Sequence, residues 1–189
     1  MSSSDLTFVS YSVLVLVGRN GAAPHDLVQM MRSGRVYQAA APSQYYAEPK
    51  RLERLGYLSS SKEPGRTRER TVYRLTDRGA DALREWMTTP AAVPTVSGEP
   101  VIRMLAADLV GEAPVRESLL AMRGEIEALR AELREGEARA ATMPHREKYL
   151  LLNHLLAGAV LDAYDAWLDD VAKALAPESE PAPARRTRP

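Results

Sequence analysis

Basic and hydrogen-bonding side chains are concentrated in residues 41–76, which carry eight basic and four acidic side chains. Lysine and arginine bind phosphate groups, whereas hydroxyl, amide and phenol groups can hydrogen-bond to the edges of bases. The side chains that could perform this chemistry form two runs, Ser43, Gln44, Tyr46, Lys50 and Arg51, and then Arg66, Arg68 and Arg70. The two runs together predict a surface that binds duplex DNA.

Structural roles are open for the first of these runs. Ser43 could cap a helix, and Lys50 and Arg51 could form a solvated face beside Glu48 and Glu53. The three arginines of the second run surround a Pro-Gly turn and have no evident packing role. They are therefore the strongest indication of phosphate binding in the sequence.

Catalytic and metal sites are not indicated. Cysteine is absent, which excludes thiolate nucleophiles and Cys-ligated metals. His25, His145 and His154 are far apart and do not form the paired spacings of metal ligands. Gly-x-Gly-x-x-Gly, P-loop and Gly-x-Ser-x-Gly motifs do not occur. We predict that the protein is not an enzyme and has no cofactor or metal.

The charge of the chain is balanced overall but unevenly distributed. Its 189 residues include 25 basic and 25 acidic side chains. Residues 1–98 hold 13 basic and 9 acidic side chains, whereas residues 99–175 hold 9 and 14. This division indicates a basic working face followed by an acidic partner or dimer module. The longest apolar run, residues 6–18, is too short to span a bilayer, so we predict no membrane partner. The absence of cysteine fits a reducing compartment, and we predict a cytoplasmic protein.

The N-terminal part of the sequence predicts three helices, over residues 7–18, 23–31 and 43–56. Ser43 is the expected N-cap of the third helix. Tyr45 is expected in the core rather than on the working face. Pro49 deletes a backbone hydrogen bond inside the third helix and can kink it.

After Gly56 the spacing of the residues changes from a helical to an alternating pattern. This change predicts two strands, 57–62 and 69–75, joined by a turn at Pro64-Gly65. Thr76 then caps a fourth helix over residues 77–87. Three helices, a hairpin and a helix, in this order, are typical of a winged helix-turn-helix. We assign residues 1–88 to this DNA-binding domain and residues 89–98 to a linker.

Residues 99–175 are predicted to be helical, with helices at 99–109, 113–141 and 146–175, and residues 176–189 are predicted to be a disordered tail. Apolar residues of the long second helix follow a heptad seam, at Leu119, Met122, Ile126, Leu129 and Leu133. We assign this seam and Trp167 to a coiled-coil-like dimer interface. An intrachain helix pair would bury the same leucines, so that alternative stays open.

Two tryptophans, Trp86 and Trp167, could line a pocket for a planar organic effector, since aromatic rings suit such ligands. Each of them could equally serve core or interface packing.

Several segments together resemble the PadR-like family of transcriptional regulators. Residues 43–58, SQYYAEPKRLERLGYL, are similar to the family's recognition helix. Residues 64–68, PGRTR, followed by YRLT at 73–76 and by Gly79, are similar to its wing. The resemblance covers most of residues 7–88, and the helical remainder resembles the family's dimerisation region. Pro49 departs from the family pattern, because many members have an aliphatic residue there.

The resemblance implies a dimeric DNA-binding regulator, often a repressor that a small molecule releases. We therefore expect a mainly α protein with an N-terminal winged helix-turn-helix, a small β-hairpin wing and a C-terminal helical dimerisation region. As a homodimeric repressor it would bind a palindromic operator in double-stranded DNA. One alternative is a protein-interaction adaptor that kept the winged helix without DNA binding. Another is an enzyme acting on a small molecule, whose motifs the sequence lacks.

Overall fold

The computed structural model of the protein describes residues 5–32, 41–65, 69–94 and 98–177. The chain divides into two compact units, Met1–Pro94 and Thr95–Pro189, which we call the N-terminal and C-terminal units. Each unit has its own hydrophobic cluster.

The described part of the N-terminal unit has the element order of a winged helix-turn-helix. The elements are α1 (Phe8–Val17), α2 (Pro24–Arg32), α3 (Gln44–Arg54), β1 (Leu58–Glu63), β2 (Arg70–Leu75) and α4 (Asp77–Trp86). The strands are antiparallel, with Leu58 opposite Leu75 and Glu63 opposite Arg70. This order confirms the predicted fold. Arg66 and Arg68 lie outside the described residues.

The core of the N-terminal unit forms where α1, α2 and α3 meet the hairpin. A capping box between Thr7 and Ser10 starts α1, so that its apolar residues reach the core at helical spacing. The fully buried side chains of this core include Val13 and Leu14 of α1, Leu27 of α2, and Tyr45 and Leu52 of α3. The unit therefore holds α3 by one apolar face and leaves the opposite face to solvent.

Helix α3 differs in two details from the sequence prediction. Ser43 occupies the N-cap position but makes no side-chain hydrogen bond there, because its backbone is already helical. Pro49 lies inside α3 and is buried, yet the helix continues from Gln44 to Arg54. Proline here presents its ring to the core, where an aliphatic residue would otherwise pack.

Two close backbone approaches fix the hairpin against the helices. The backbones of Ala22 and Tyr73 form an isolated β-bridge, with N···O distances of 3.0 and 2.9 Å. Gly21, at φ +76°, lies beside this bridge. At the other end, Thr76 caps α4 by accepting a hydrogen bond from the Gly79 N–H (3.1 Å), as predicted. A Cβ at Gly79 would lie 2.2 Å from the Tyr57 carbonyl oxygen, so this contact needs glycine.

The described part of the C-terminal unit is helical. It contains α5 (Glu99–Leu105), α6 (Ala107–Val110), α7 (Glu112–Leu120), α8 (Met122–Ala140) and α9 (Glu147–Ala174). The helices predicted over 99–109 and 113–141 are therefore each divided in two. At both breaks an amide donates to the carbonyl three residues earlier, Ala106 to Arg103 (3.1 Å) and Gly124 to Ala121 (3.4 Å). The predicted heptad seam thus crosses a helix boundary.

Helices α8 and α9 pack against each other in opposite directions. Arg123 of α8 donates to Asp169 of α9 (2.6 Å), and Arg130 of α8 donates to Asp162 (2.8 Å) and lies 2.7 Å from Asp165. The hydrogen bond from Arg123 lowers the pKa of Asp169. These pairs lie about two turns apart along each helix and so set the register of α8 against α9.

Candidate nucleic-acid interface

The exposed face of α3 brings together the polar residues that the sequence singled out. Ser43, Gln44, Tyr46 and Lys50 are all exposed, and the Tyr46 side chain is 47% accessible. Ser43, Tyr46 and Lys50 are three and four residues apart, so they share one face of the helix. The opposite face carries the buried Tyr45 and the rest of the core contact. The arrangement is a supported helix with hydrogen-bonding groups at its N-terminal end and a cation one turn later.

Tyr45 is a core residue, as predicted. Its side chain is fully buried, and this burial raises the pKa of the phenol, because removal from water disfavours the charged form. It therefore anchors α3.

Arg51 has intramolecular partners. Its Nε lies 3.2 Å from Glu48, and its Nη2 donates to the Asp5 carbonyl oxygen at 2.5 Å. Glu48 in turn accepts a 2.6 Å hydrogen bond from Ser10, which is fully buried in α1. The Arg51 guanidinium thus joins α3 to the segment before α1, and a phosphate contact by Arg51 stays a prediction.

The described basic side chains of the hairpin also have partners. Arg70 donates to Asp26 of α2 at 3.2 Å, and Lys62 donates to Thr71 at 2.9 Å. Arg74 donates to Ser61 at 2.8 Å and pairs with Glu63. The hydrogen bond from Arg74 is the main reason why the pKa of the Glu63 carboxyl is lowered. Of the second run of arginines, only Arg70 falls among the described residues.

One basic residue on this surface was missed by the sequence reasoning. Arg54 is exposed in the last turn of α3, four residues after Lys50. Residues spaced by four lie on the same side of a helix, so Arg54 extends the cationic end of the exposed face. That spacing was the signal that could have identified it.

The two candidate effector-binding tryptophans each pack within their own unit. Trp86 stacks on Tyr11, with ring centroids 4.5 Å apart and an interplanar angle of 9°. Trp167 is partly buried and packs against the apolar cluster of the C-terminal unit. Both rings therefore have packing contacts within their own unit, and their role in effector binding stays a prediction.

The candidate dimer seam packs against α9 of the same chain. Leu119 and Ile126 are buried in one cluster with Leu161 and Leu168 of α9. The other seam residues, Met122, Leu129 and Leu133, pack against this cluster while partly exposed. The seam therefore contributes to packing within the chain, and its role in a dimer stays a prediction.

A different set of apolar side chains in the C-terminal unit is exposed. It lies in the N-terminal half of α9 and consists of Tyr149, Leu151, Leu152, Leu155, Leu156 and Val160. Leu155 is 71% accessible and Leu156 is 64% accessible. We call this set the α9 apolar face. The sequence shows only that these residues are apolar, whereas the fold decides which apolar residues of α9 are buried by α8.

Within the described ranges, no group of three His, Asp or Glu side chains is arranged to hold a metal ion. No helix in the same part of the chain is long and apolar enough to cross a membrane.

Comparison with known proteins agrees with this architecture. A model of the transcriptional regulator PadR-like family matches residues 14–85, from within α1 to within α4. No curated protein matches the sequence.

Solved structures are similar over most of the chain. Bacillus subtilis PadR in complex with operator DNA has a TM-score of 0.75 at 19% identity, covering 89% of this chain and 99% of that chain. The Vibrio cholerae virulence activator AphA has a TM-score of 0.69 at 26% identity, covering 88% and 97%. Bacillus subtilis PadR in complex with p-coumaric acid has a TM-score of 0.66 at 19% identity, covering 88% and 98%.

Proposed function

We propose that this chain is a PadR-like DNA-binding transcriptional regulator, as the match of residues 14–85 to that family supports, and that it is a homodimeric repressor of a palindromic operator. The observation that carries the proposal is the exposed face of α3, polar at its start and cationic further along, beside the β1–β2 hairpin. A helix of this kind can enter a major groove while the hairpin contacts the flanking backbone.

The side chains of α3 divide into two roles in this proposal. Gln44 and Tyr46 read base edges, since both lie near the N-terminal end of the recognition helix, and glutamine can pair with adenine through two hydrogen bonds. Ser43, Lys50 and Arg54 bind phosphate and position the helix. Arg51 supports α3 through Glu48 instead.

The wing supplies further phosphate contacts. We assign this role to Arg66 and Arg68 from their position after the Pro-Gly turn. Arg70 starts β2 and is paired with Asp26, so this carboxylate competes with phosphate for its guanidinium.

The dimer forms through the C-terminal unit, and the α9 apolar face is the surface that supports this assignment. Exposed apolar patches on soluble proteins often mark interaction sites, and a two-fold axis lets one patch pair with its own copy. Two recognition helices related by that axis can contact half-sites about 34 Å apart. The seam residues and Trp167 then act indirectly, by holding α8 and α9 together behind the interface.

The repressor role and release by a small molecule are the finer parts of the proposal. They are supported by the fold shared with PadR, which has been seen with operator DNA and with p-coumaric acid. The proposed site of action is the cytoplasm, where the operator DNA lies.

Selection of bound sequences from a random duplex pool tests the proposal. We expect a palindromic consensus, with an affinity that falls steeply as salt rises, because phosphate contacts release counterions. A non-palindromic consensus would refute the symmetric dimer. Absence of salt-dependent duplex binding would favour the adaptor hypothesis.

A further inference from the structure

An ion pair connects the wing to the first helix of the helix-turn-helix. Arg70 is the first residue of β2, and its Nη1 lies 3.2 Å from Oδ2 of Asp26 in the first turn of α2. The two side chains are 49% and 36% accessible, so solvent reaches both. They are 44 residues apart in sequence, and only the fold brings them together.

The Asp26 carboxylate is held in place by a second contact. Its Oδ2 also accepts the backbone N–H of Ala23 at 3.1 Å. The bridge between Ala22 and Tyr73 ties β2 to the residues just before α2. Backbone contacts therefore hold both partners of the ion pair. The Ala23 N–H holds the Asp26 carboxylate, and the bridge to Ala22 holds the strand that begins with Arg70.

Arg70 differs in this respect from the other basic side chains of the hairpin in the described residues. Lys62 bonds to Thr71 within the hairpin, and Arg74 pairs with Glu63 within it. Of these three side chains, Arg70 is the one whose ion-pair partner lies on α2, the helix that crosses the DNA backbone in this type of domain.

We propose that Asp26 limits binding to DNA of arbitrary sequence, because it keeps Arg70 from phosphate. This inference rests on the proposed function, since it requires the wing and α2 to lie near the DNA backbone. Complexes with arbitrary sequence obtain nearly all their affinity from phosphate contacts. Each cation that is paired with a carboxylate of the same chain therefore lowers the affinity for DNA of arbitrary sequence.

The Asp26–Arg70 ion pair lowers the affinity for the operator less than the affinity for other DNA. Base contacts from α3 fix the register of the domain on the operator, so phosphates take fixed positions and one of them can replace Asp26 at Arg70. In non-specific complexes the register is not fixed, and Arg70 remains with Asp26. Asp26 thus raises the ratio of operator affinity to non-specific affinity.

The test compares Asp26→Asn with a matched control. Asparagine keeps an oxygen that can accept the Ala23 N–H, so the start of α2 retains its hydrogen bond. Asp81 pairs with Arg84 on the exposed surface of α4, and Asp81→Asn makes the same change of charge and also frees an arginine. Arg70→Ala, alone and combined with Asp26→Asn, shows whether any gain requires Arg70.

The measurement is the affinity of the full chain for a 30-base-pair duplex of arbitrary sequence and for the selected operator, as salt is varied between about 50 and 200 mM. We expect Asp26→Asn to bind the arbitrary duplex about two- to fivefold more tightly, the range typical of exposed ion pairs. Its slope of log affinity against log salt should steepen by about 0.9, the value for one further phosphate contact. The operator affinity should rise less, so the specificity ratio should fall.

The controls decide the outcome. Asp81→Asn should leave the slope unchanged, and Arg70→Ala should abolish the gain of Asp26→Asn. Equal gains in Asp26→Asn and Asp81→Asn would overturn the inference, as would a gain that survives Arg70→Ala. Loss of folding cannot imitate tighter binding. If the parent shows no salt-dependent DNA binding, the proposed function itself fails, whereas a parent that binds and an Asp26→Asn variant without effect refute only the role of Asp26.

Discussion

Replacing Gly79 with alanine should destabilise the N-terminal unit, because α4 begins in backbone contact with the start of the hairpin. The added Cβ would lie 2.2 Å from the Tyr57 carbonyl oxygen and 3.3 Å from Leu75 Cδ2. Ordinary contacts of a Cβ are 3.4–4 Å, so the backbone must move by about 1 Å, since a carbonyl cannot rotate away as a side chain can. The same carbonyl accepts the Thr76 N–H at 3.2 Å, and that hydrogen bond would be strained.

The cost can be worked from these contacts. Overpacking of a fixed site costs about 1–3 kcal/mol, and a weakened hydrogen bond adds about 0.5–1.5 kcal/mol. The higher helix propensity of alanine offsets about 1 kcal/mol of this. The net loss is therefore about 2 kcal/mol, which corresponds to a fall in Tm of about 8–16 °C for a unit of this size.

The two tryptophans allow each unit to be followed separately. In a Trp167→Phe background, Trp86 is the remaining tryptophan, and its stacking on Tyr11 reports the folding of the N-terminal unit. Urea unfolding followed by Trp86 fluorescence should show a lower midpoint for Gly79→Ala with an unchanged slope. Gly124→Ala is the control, because its Cβ meets nothing within 4 Å in α8. In the same background that variant should leave the midpoint reported by Trp86 unchanged, because Gly124 lies in the C-terminal unit, whereas a Gly79→Ala protein as stable as its parent would refute the reasoning.

Three further changes test the dimer, the base readout and the ion pairs. The double substitution Leu152→Glu, Leu156→Glu places charge on the α9 apolar face. We expect a folded monomer, measured by sedimentation and circular dichroism, and a variant that stays dimeric would show that the interface lies elsewhere. Gln44→Ala should cost about 1–3 kcal/mol on the selected operator and relax one position of each half-site, whereas an unchanged consensus would place readout elsewhere. The hydrogen bond from Arg123 lowers the pKa of Asp169 below its ordinary value of 3.8. The pair therefore stabilises the fold fully above pH 3.8, and this stabilisation is lost as the pH falls through the lowered pKa. The stability difference between the parent and Arg123→Gln should accordingly be constant above about pH 5 and shrink in more acidic solution, and a difference independent of pH would contradict this assignment.

The winged-helix order was predictable because its signals are local. Thr76 caps α4 through the N–H three residues later, and the change from helical to alternating spacing after Gly56 marks the hairpin. Tyr45 could be assigned to the core, since apolar spacing along α3 separates a buried face from an exposed one. Such features depend on residues that are close in sequence, so the sequence alone is sufficient for them.

The partners of charged and apolar side chains were not predictable in the same way. Arg70 and Asp26 are 44 residues apart, and a run of arginines looks the same whether one of them binds phosphate or a carboxylate. The heptad seam was visible, but the same leucines satisfy an intrachain pair and a dimer, and only the fold shows that Leu119 and Ile126 pack against α9.

By itself, the sequence determined the helices and the hairpin of the winged-helix domain and most of the residues that α3 exposes, because capping, spacing and turn chemistry act within a few residues. The tertiary structure decided which cations are neutralised within the chain, which apolar face remains exposed on α9 and why Gly79 is required. Those outcomes depend on contacts between distant segments, whose distances follow from the packing of the whole chain and leave no local pattern in the sequence.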